Sequence, residues 1–380
     1  MPQTTLSERP AKPGIRVLHV TFNMGIGGTE QVIRQLIEGM DPDQVQSEIL
    51  CIDGHVGAMG ENLREAGIKV HTIARQPGFD RALVSGIRKY LRQGRFDVIH
   101  CHQYTPYFYG WLAAWGTSAS VVFTEHGRFY PDRHRYKALL INPIMALMTP
   151  ALVSISEATR EALVRYEFMP RKKIRVIYNG ISPLHRDDRV VEQIRESLGI
   201  PKEAFVVGTV SRLDPVKNQT MMLSAFQRFS ERNPDAWLLM VGDGPDRQKL
   251  EQLAIQLKIG DRTVFTGFVN KPAQHLAAMD IFLLSSHTEG TSMTLLEAMS
   301  MGTPPVVTNV GGNPEILTEK LSRNMVPSDD AEAFSEAITE LWSDENLRSA
   351  QSTLVREIFQ NRFSNTIMVK SYMELYKSVC

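Results

Sequence analysis

Residues 205–241 read FVVGTVSRLDPVKNQTMMLSAFQRFSERNPDAWLLMV. The stretch opens on a short apolar run, "FVVGTV", turns through "SRLDPVKN", continues as the amphipathic "QTMMLSAFQRFSER" and closes on a second apolar run, "AWLLMV". A strand, a loop, a helix and a strand in so short a span form a βαβ unit, and such units build parallel sheets. The pattern repeats in both directions. Upstream, "IRVLHVTF", "SEILCI", "KVHTI", "DVIHCH", "SVVFTEH", "ALVSIS" and "KIRVIYNGISP" predict strands, with helical stretches such as "GTEQVIRQLIEGM" and "ALVSGIRKYLRQG" between them. Downstream, "TVFTGFV", "DIFLLSS" and "PPVVTNV" alternate with "DRQKLEQLAIQLK" and "PAQHLAAM". The expected fold is therefore α/β, with two doubly wound domains in tandem. The first is expected over residues 1–180 and the second over 181–358, joined near residues 179–183. A helical tail, 359–380, is expected to pack back toward the first domain. "INPIMALMTPALVSIS" is the longest apolar stretch, but prolines interrupt it and it falls short of the ~18 residues that span a bilayer. It reads as a buried helix followed by a strand.

A chain of 380 residues with 43% apolar content is long enough for two cores. Its formal net charge is zero, but residues 1–180 carry 22 Lys and Arg against 16 Asp and Glu, and the remainder has the opposite imbalance. A basic first half fits an anionic partner, either a phospholipid surface or a phosphate-bearing substrate, and it also fits compositional scatter. No nucleic-acid partner is expected. Three scattered cysteines, Cys51, Cys101 and Cys380, are no disulfide framework and suggest a reducing compartment. The N-terminal "MPQTTLSERPAKPG" lacks the apolar core of a signal peptide. The expected location is cytoplasmic, with peripheral contact at the inner face of the plasma membrane compatible with the charge.

The polar motifs fall just after strands, where open α/β sheets bind ligands. "NMGIGGTEQ" lets Gly25, Gly27 and Gly28 turn tightly at a helix start, where exposed N–H groups suit a phosphate. A plain βα turn fits it as well. "SRLDPVKN" sets Arg212 and Lys217 on one strand-end loop, where two cations can neutralise a diphosphate or simply be solvated. "TEHGR" brings His126 to a strand end, able to bond a sugar hydroxyl or serve structure. His100 and His102 in "VIHCHQY" share one face of a strand, but no carboxylate accompanies them and no metal site is expected. No Asp-x-Asp pair sits at a strand end to hold Mg²⁺, so cations and helix N-termini must carry any diphosphate. "SSHTEGTSMTLLEAMSMG", residues 285–302, places Glu289 in a loop, backbone N–H groups of Gly290, Thr291 and Ser292 at a helix start, and Glu297 within the helix. Carboxylates fixed this way accept hydrogen bonds from vicinal hydroxyls of a sugar or ribose.

Taken together, "VSRLDPVKN", "LLMVGDGPDRQKL", "VFTGFV" and "EGTSMTLLEAMSMGTPPVVTNVGGNPEIL" resemble the donor-binding domain of the family-4 glycosyltransferases. "GIGGTEQV" resembles that family's N-terminal glycine loop and "TEHG" its strand-end histidine. The resemblance covers residues 15–320 and is strongest over 208–316. It implies the GT-B architecture, two Rossmann-like domains facing a central cleft. It also implies a retaining, metal-independent transfer of a hexose from a nucleotide-diphosphate sugar, a UDP-sugar by preference, to a saccharide or lipid-linked saccharide in surface polysaccharide synthesis. No cofactor is implied, the nucleotide sugar being a substrate. Arg212 and Lys217 would then bind the diphosphate, Glu289 would lie near the reacting carbon, and Glu297 would hold the ribose hydroxyls. Gly27 and Gly28 would approach the phosphate, and His126 would meet the sugar. "EGTSMTL" departs from the aromatic residue or extra glycine common after Glu-Gly in the family, which bears on the sugar pocket and leaves Thr291–Ser292 as the expected selector. Two other readings stand beside this one: a nucleotide-sugar epimerase of similar fold, which needs no acceptor, and a non-catalytic nucleotide-binding relative.

Overall fold

The computed structural model describes residues 14–127 and 139–380. Among the described residues, thirteen strands form two sheets. The first contains β1 (Ile15–Thr21), β2 (Val45–Cys51), β3 (Val70–Thr72), β4 (Val98–His102), β5 (Ser120–Glu125), β6 (Ala151–Ser154) and β7 (Ile174–Val176), in the order β3-β2-β1-β4-β5-β6-β7. The second contains β8 (Phe205–Val210), β9 (Ala236–Val241), β10 (Thr263–Gly267), β11 (Ile281–Leu284), β12 (Pro305–Thr308) and β13 (Met325–Val326), in the order β10-β9-β8-β11-β12-β13. The described pairings are parallel, with β1 in register with both β2 and β4, and β8 with both β9 and β11. Parallel sheets are covered on both faces, so their central strands are apolar throughout rather than alternating. β4, β11 and β12 accordingly have no exposed residue. In each sheet the strand order reverses once, between β1 and β4 and between β8 and β11. Loops beyond a strand-order reversal are the usual ligand site of such folds.

By contacts the chain forms two compact units. One holds the described residues up to Thr124 together with Leu147–Leu152 and Tyr372–Cys380; the other holds Val153–Ser371 and the described part of Glu125–Ala146. Three helices end the chain, Ala331–Ser343, Glu345–Arg362 and Asn365–Val379. In the first unit, the last of these bonds to the sheet: the Tyr376 hydroxyl lies 2.7 Å from His100 Nδ1, and the Tyr372 hydroxyl 3.0 Å from Thr124 Oγ1. In the second, the segment through Ile181 is bonded to the chain at 363–365, Ile181 N–H donating to the Phe363 carbonyl and Asn365 N–H to the Ile181 carbonyl.

Two elements differ from the sequence expectation. The apolar helix Ile141–Met148 is not buried: Asn142, Met145 and Ala146 are enclosed, but Ile141, Ile144, Leu147 and Met148 are exposed. Hydrophobic content alone does not say how many faces of a helix find a partner. The helix Tyr104–Ala114 was not separately expected, because it is apolar on nearly every side and carries no periodic signal. No helix among the described residues is long and apolar enough to cross a membrane.

Candidate active site

The loops after β8 and β11 meet at the strand-order reversal of the second sheet. After β8 the chain runs through Ser211–Arg212–Leu213 into the short 3-10 turn Pro215–Lys217. Buried Asp214 organises this turn. Its Oδ1 accepts from the N–H groups of Val216 (3.0 Å) and Lys217 (3.3 Å), and its Oδ2 accepts from the Arg212 guanidinium. Proline in the first turn fixes the backbone there. Arg212 is thus anchored at one edge while its side chain stays 65% exposed.

The loop after β11 is stitched onto this one. Ser285 Oγ donates to the carbonyls of Lys217 (2.8 Å) and Asn218 (3.0 Å), and the His287 N–H donates to the Val216 carbonyl (2.8 Å). Lys217 Nζ then lies 2.7 Å from Glu289 Oε1. The same oxygen accepts from Ser286 Oγ at 2.5 Å. Ser286 is fully buried, and Thr308 Oγ1 holds its carbonyl at 2.6 Å. The Glu289 side chain is only 8% exposed and that of Lys217 26%. Two donors thus converge on one oxygen of an enclosed side chain.

The Glu289–Gly290 backbone rests on a second glycine loop. Gly311 has φ +53°, and a Cβ there would lie 1.9 Å from the Glu289 carbonyl oxygen; a Cβ on Gly312 would lie 2.0 Å from that of Gly290. The Gly312 N–H donates to the Glu289 carbonyl at 3.2 Å. Only glycine permits this approach, so "VGG" at 310–312 is a support for Glu289. Gly290 in turn lies against Ile155 and the His126 carbonyl, which brings His126 to this loop. Burial pulls the His126 imidazole down to about 3, so it is neutral near pH 7.

Thr291 and Ser292 are buried. Thr291 Oγ1 donates to the Ile155 carbonyl at 2.7 Å, and Ser292 Oγ caps the helix Met293–Met301 by accepting from the Leu295 N–H. Ser292 Oγ also lies 3.3 Å from Thr294 Oγ1. Glu297 lies one turn into this helix, on its half-buried stripe with Met293, Thr294 and Ser300. The helix start directs its partial positive charge at the same loop.

The remaining expected residues, Gly27 and Gly28, belong to the first unit, at the reversal of its own sheet. Gly28 begins the helix Gly28–Gly39, and the preceding loop is fixed by Asn23, whose Oδ1 accepts from the Gly25 N–H (2.9 Å) and whose Nδ2 donates to Asp53 (2.5 Å). The Glu30 carboxylate folds back against Gly27, so this helix start already faces an acid; burial raises the Glu30 pKa.

His100 and His102 do share a strand face, and they meet His19 of β1 in a fully buried cluster whose ligand-capable atoms lie within 4.8 Å of one another. His19 Nδ1 and His102 Nε2 are 3.0 Å apart, and His100 lies between Tyr376 and Thr124 (2.7 and 2.8 Å). The rings bond to one another and to the Tyr376 and Thr124 hydroxyls. Burial holds His19 at about 3 and therefore neutral, consistent with a hydrogen-bonded network of imidazoles and hydroxyls.

Residue-type reasoning passed over Asp214, Ser285, Ser286, Gly311 and Glu315. "DP" before a short turn is an N-cap signal for Asp214. Glu315 sits in "NPEIL" and, with Oε2 and Oε1, accepts from the N–H groups of Glu157 (2.7 Å) and Ala158 (2.8 Å) at a distant helix start. Nothing local in the sequence announces that contact.

Residues 26–183 match the family model described as Glycosyltransferase Family 4, and residues 190–357 match that described as Glycosyl transferases group 1. The chain is 28% identical over 324 residues to the N-acetyl-alpha-D-glucosaminyl L-malate synthase of Bacillus anthracis, covering 83% of each protein. It is 25% identical over 379 residues to the UDP-Gal:alpha-D-GlcNAc-diphosphoundecaprenol alpha-1,3-galactosyltransferase of Escherichia coli, covering 95% of this chain and 96% of that one. Its fold matches the Anabaena protein HepE, crystallised with UDP and glucose, at a TM-score of 0.82 and 21% identity, over 95% of this chain and 98% of that one. The two parallel Rossmann-like sheets are those of the GT-B architecture. With the cation–carboxylate pair at the reversal of the second sheet and both family models matched in tandem, this chain belongs to glycosyltransferase family 4 and is a glycosyltransferase.

Proposed function

We propose that the enzyme transfers a hexose from a UDP-sugar to a saccharide or lipid-linked saccharide, with retention at the anomeric carbon and without a metal ion. The observation that carries the reading is the convergence of Lys217 and Ser286 on one oxygen of Glu289, with Arg212 anchored beside it. A diphosphate at this loop gains two cations, each charge-assisted hydrogen bond contributing roughly 1.5–3 kcal/mol. Lys217 is the group that must move. Its ammonium leaves Glu289, or shares it, to meet the charge that develops on the departing phosphate. Glu289, buried and still held by Ser286, places its carboxylate beside the reacting carbon, where positive charge builds as the carbon–phosphate bond breaks. The acceptor oxygen bonds to that carbon from the same face, and its proton passes to a leaving phosphate oxygen, so no enzyme nucleophile is needed. Glu297, on the half-buried stripe of its helix, accepts from the vicinal ribose hydroxyls. The Escherichia coli relative, named for a UDP-galactose donor and a diphosphoundecaprenol-linked acceptor, supports this choice of substrates, as does the UDP in the HepE crystal.

Purified enzyme assayed for UDP release and sugar transfer, with EDTA present, tests the reading. Lys217→Ala should lower kcat/KM roughly ten- to hundredfold, the equivalent of one charge-assisted bond. Glu289→Ala should lower kcat at least as much. Unchanged turnover in both variants would refute the assigned roles, and complete loss of activity in EDTA would refute the metal-free mechanism.

A further inference from the structure

The helix Tyr104–Ala114 starts just beyond β4, at the strand-order reversal of the first sheet, and carries no charged residue. Its half-buried stripe includes Tyr104, Phe108 and Trp111, three aromatic rings at helical spacing. The loop after β3 meets this helix on the same edge of the sheet. Buried Tyr109 pins the loop: its hydroxyl accepts from the Asp80 N–H (3.1 Å) and donates to the Gly78 carbonyl (3.0 Å). Asp80 closes the loop from within, accepting from the N–H groups of Gln76 (2.9 Å) and Leu83 (2.9 Å). Gly78, at φ +81°, makes the turn. Between these fixed points stands Phe79, 57% exposed. Its ring lies nearly parallel to that of Tyr109 (12°, centroids 6.2 Å apart) and edge-on to that of Phe108 (74°, 6.1 Å). A backbone bonded on both sides of Phe79 keeps the ring outward and leaves an apolar face in water.

The residue between β4 and this helix is strained. Gln103 has φ +70° and ψ +165°, a region that L side chains rarely adopt. Three bonds hold it there. Its N–H donates to the Thr124 carbonyl (2.9 Å), its carbonyl accepts from the Tyr107 N–H (3.1 Å), and its Nε2 donates to Thr29 Oγ1 (3.3 Å), beside Gly27 and Gly28. Strain of this kind clusters at ligand sites, where it aims a side chain. It also ties the aromatic helix to the glycine loop. A pyranose ring matches the arrangement. Its C–H groups, partly positive, suit the negative face of an aromatic ring. Its rim of hydroxyls suits a side-chain amide, which has a second N–H and a carbonyl oxygen beyond the bond to Thr29. Two partly exposed phenylalanines offer on the order of 200 Å², well below the ~800 Å² per partner of a stable protein interface. We propose that Phe79 and Phe108 form an aromatic shelf for a sugar ring of the acceptor, with Gln103 orienting hydroxyls from the glycine-loop end. The inference rests on the reading that the acceptor is a saccharide.

The test reads binding by saturation-transfer NMR on the full-length enzyme in the presence of UDP. The probes are the methyl pyranosides of glucose, galactose, mannose and N-acetylglucosamine. Transfer is read in parallel as UDP release from UDP-glucose, UDP-galactose and UDP-N-acetylglucosamine. At least one pyranoside is expected to bind the wild type, with saturation strongest on the protons of one ring face. Phe79→Ala should weaken that binding roughly tenfold, Phe79→Leu several-fold, and Phe79→Trp by less than about threefold, because the aromatic face is what acts. Gln103→Gly suits the backbone better, so its urea midpoint should hold or rise while the same binding weakens at least about threefold. Trp115→Ala, just past the far end of the helix, should change nothing. UDP affinity should be the same in every variant, which shows that they are folded. No pyranoside bound to the wild type, or undiminished binding by Phe79→Ala or Gln103→Gly, overturns the proposal. So does a wild-type dimer that dissociates in Phe79→Ala by light scattering, because the shelf would then be a protein interface. Binding as expected, with UDP release that no pyranoside accelerates, supports the shelf and refutes the saccharide acceptor.

Discussion

Ser286→Ala separates the positioning of Glu289 from the stability of the fold. In the wild type, Glu289 Oε1 has two donors, Lys217 Nζ at 2.7 Å and Ser286 Oγ at 2.5 Å. When a diphosphate draws Lys217 away, Ser286 is left to hold the carboxylate. A short bond to a charged acceptor contributes roughly 1.5–3 kcal/mol, but Lys217 Nζ still holds the same oxygen in the resting enzyme. The loss should therefore be small before the donor binds and close to the full value in the transition state. That difference corresponds to about a ten- to hundredfold fall in kcat, with KM for the nucleotide sugar changed by less than about threefold. Removing one oxygen from a fully buried side chain leaves no orphaned donor, and the Thr308 bond to the Ser286 carbonyl persists. Unfolding stability should therefore shift by no more than about 1 kcal/mol. Steady-state kinetics from UDP release and a urea titration of the same preparation read both quantities. A kcat within twofold of wild type, in an assay where Lys217→Ala is impaired, would refute the positioning role. A large KM increase with constant kcat would instead place Ser286 in ground-state binding.

Two further outcomes follow from buried groups. His19 and His126 are both held near 3 by burial, below the ordinary value of 6.5. The unfolded chain therefore binds more protons below 6.5, and stability, complete above that value, falls as pH drops through the window from 6.5 to about 3. Between pH 7.5 and 5.5 each group should lose about 1.4 kcal/mol, seen as a falling urea midpoint; His19→Gln should remove its share, and an unchanged slope in that variant would contradict the assignment. Glu315→Ala removes the acceptor of two backbone N–H groups and of the Tyr178 hydroxyl (3.0 Å). A loss of about 2–3 kcal/mol in stability is expected, and a loss under 0.5 kcal/mol would show that water replaces the carboxylate without cost.

Much of the fold was legible because parallel strands covered on both faces must be short, continuous apolar runs. β8 and β11 announce themselves in this way, and β1 and β4 do so around the buried His19, His100 and His102. β13, only Met325–Val326, does not, because two residues carry no periodicity. Lys217 and Glu289 could be nominated separately from their strand-end loops, but the 71 residues between them conceal the ion pair. Ser286 was unreadable for the same reason: a serine before a histidine is ordinary until folding aims its hydroxyl at a carboxylate. Thr291 and Ser292 show the converse. Their types suit a sugar pocket, and folding adds contacts the sequence does not announce, Thr291 Oγ1 to the Ile155 carbonyl and the Leu295 N–H to Ser292 Oγ.

By itself, the sequence determined the alternation of strands and helices, the two Rossmann-like sheets and the strand-end loops that carry charge, because periodicity and burial are local consequences of composition. Tertiary structure alone decided which carboxylate meets which cation, that Gly311 must have no side chain beneath Glu289, and that the apolar helix Ile141–Met148 keeps one face uncovered. Those facts depend on which distant segments share a neighbourhood, and the strand order, not the neighbouring residues in the chain, sets that.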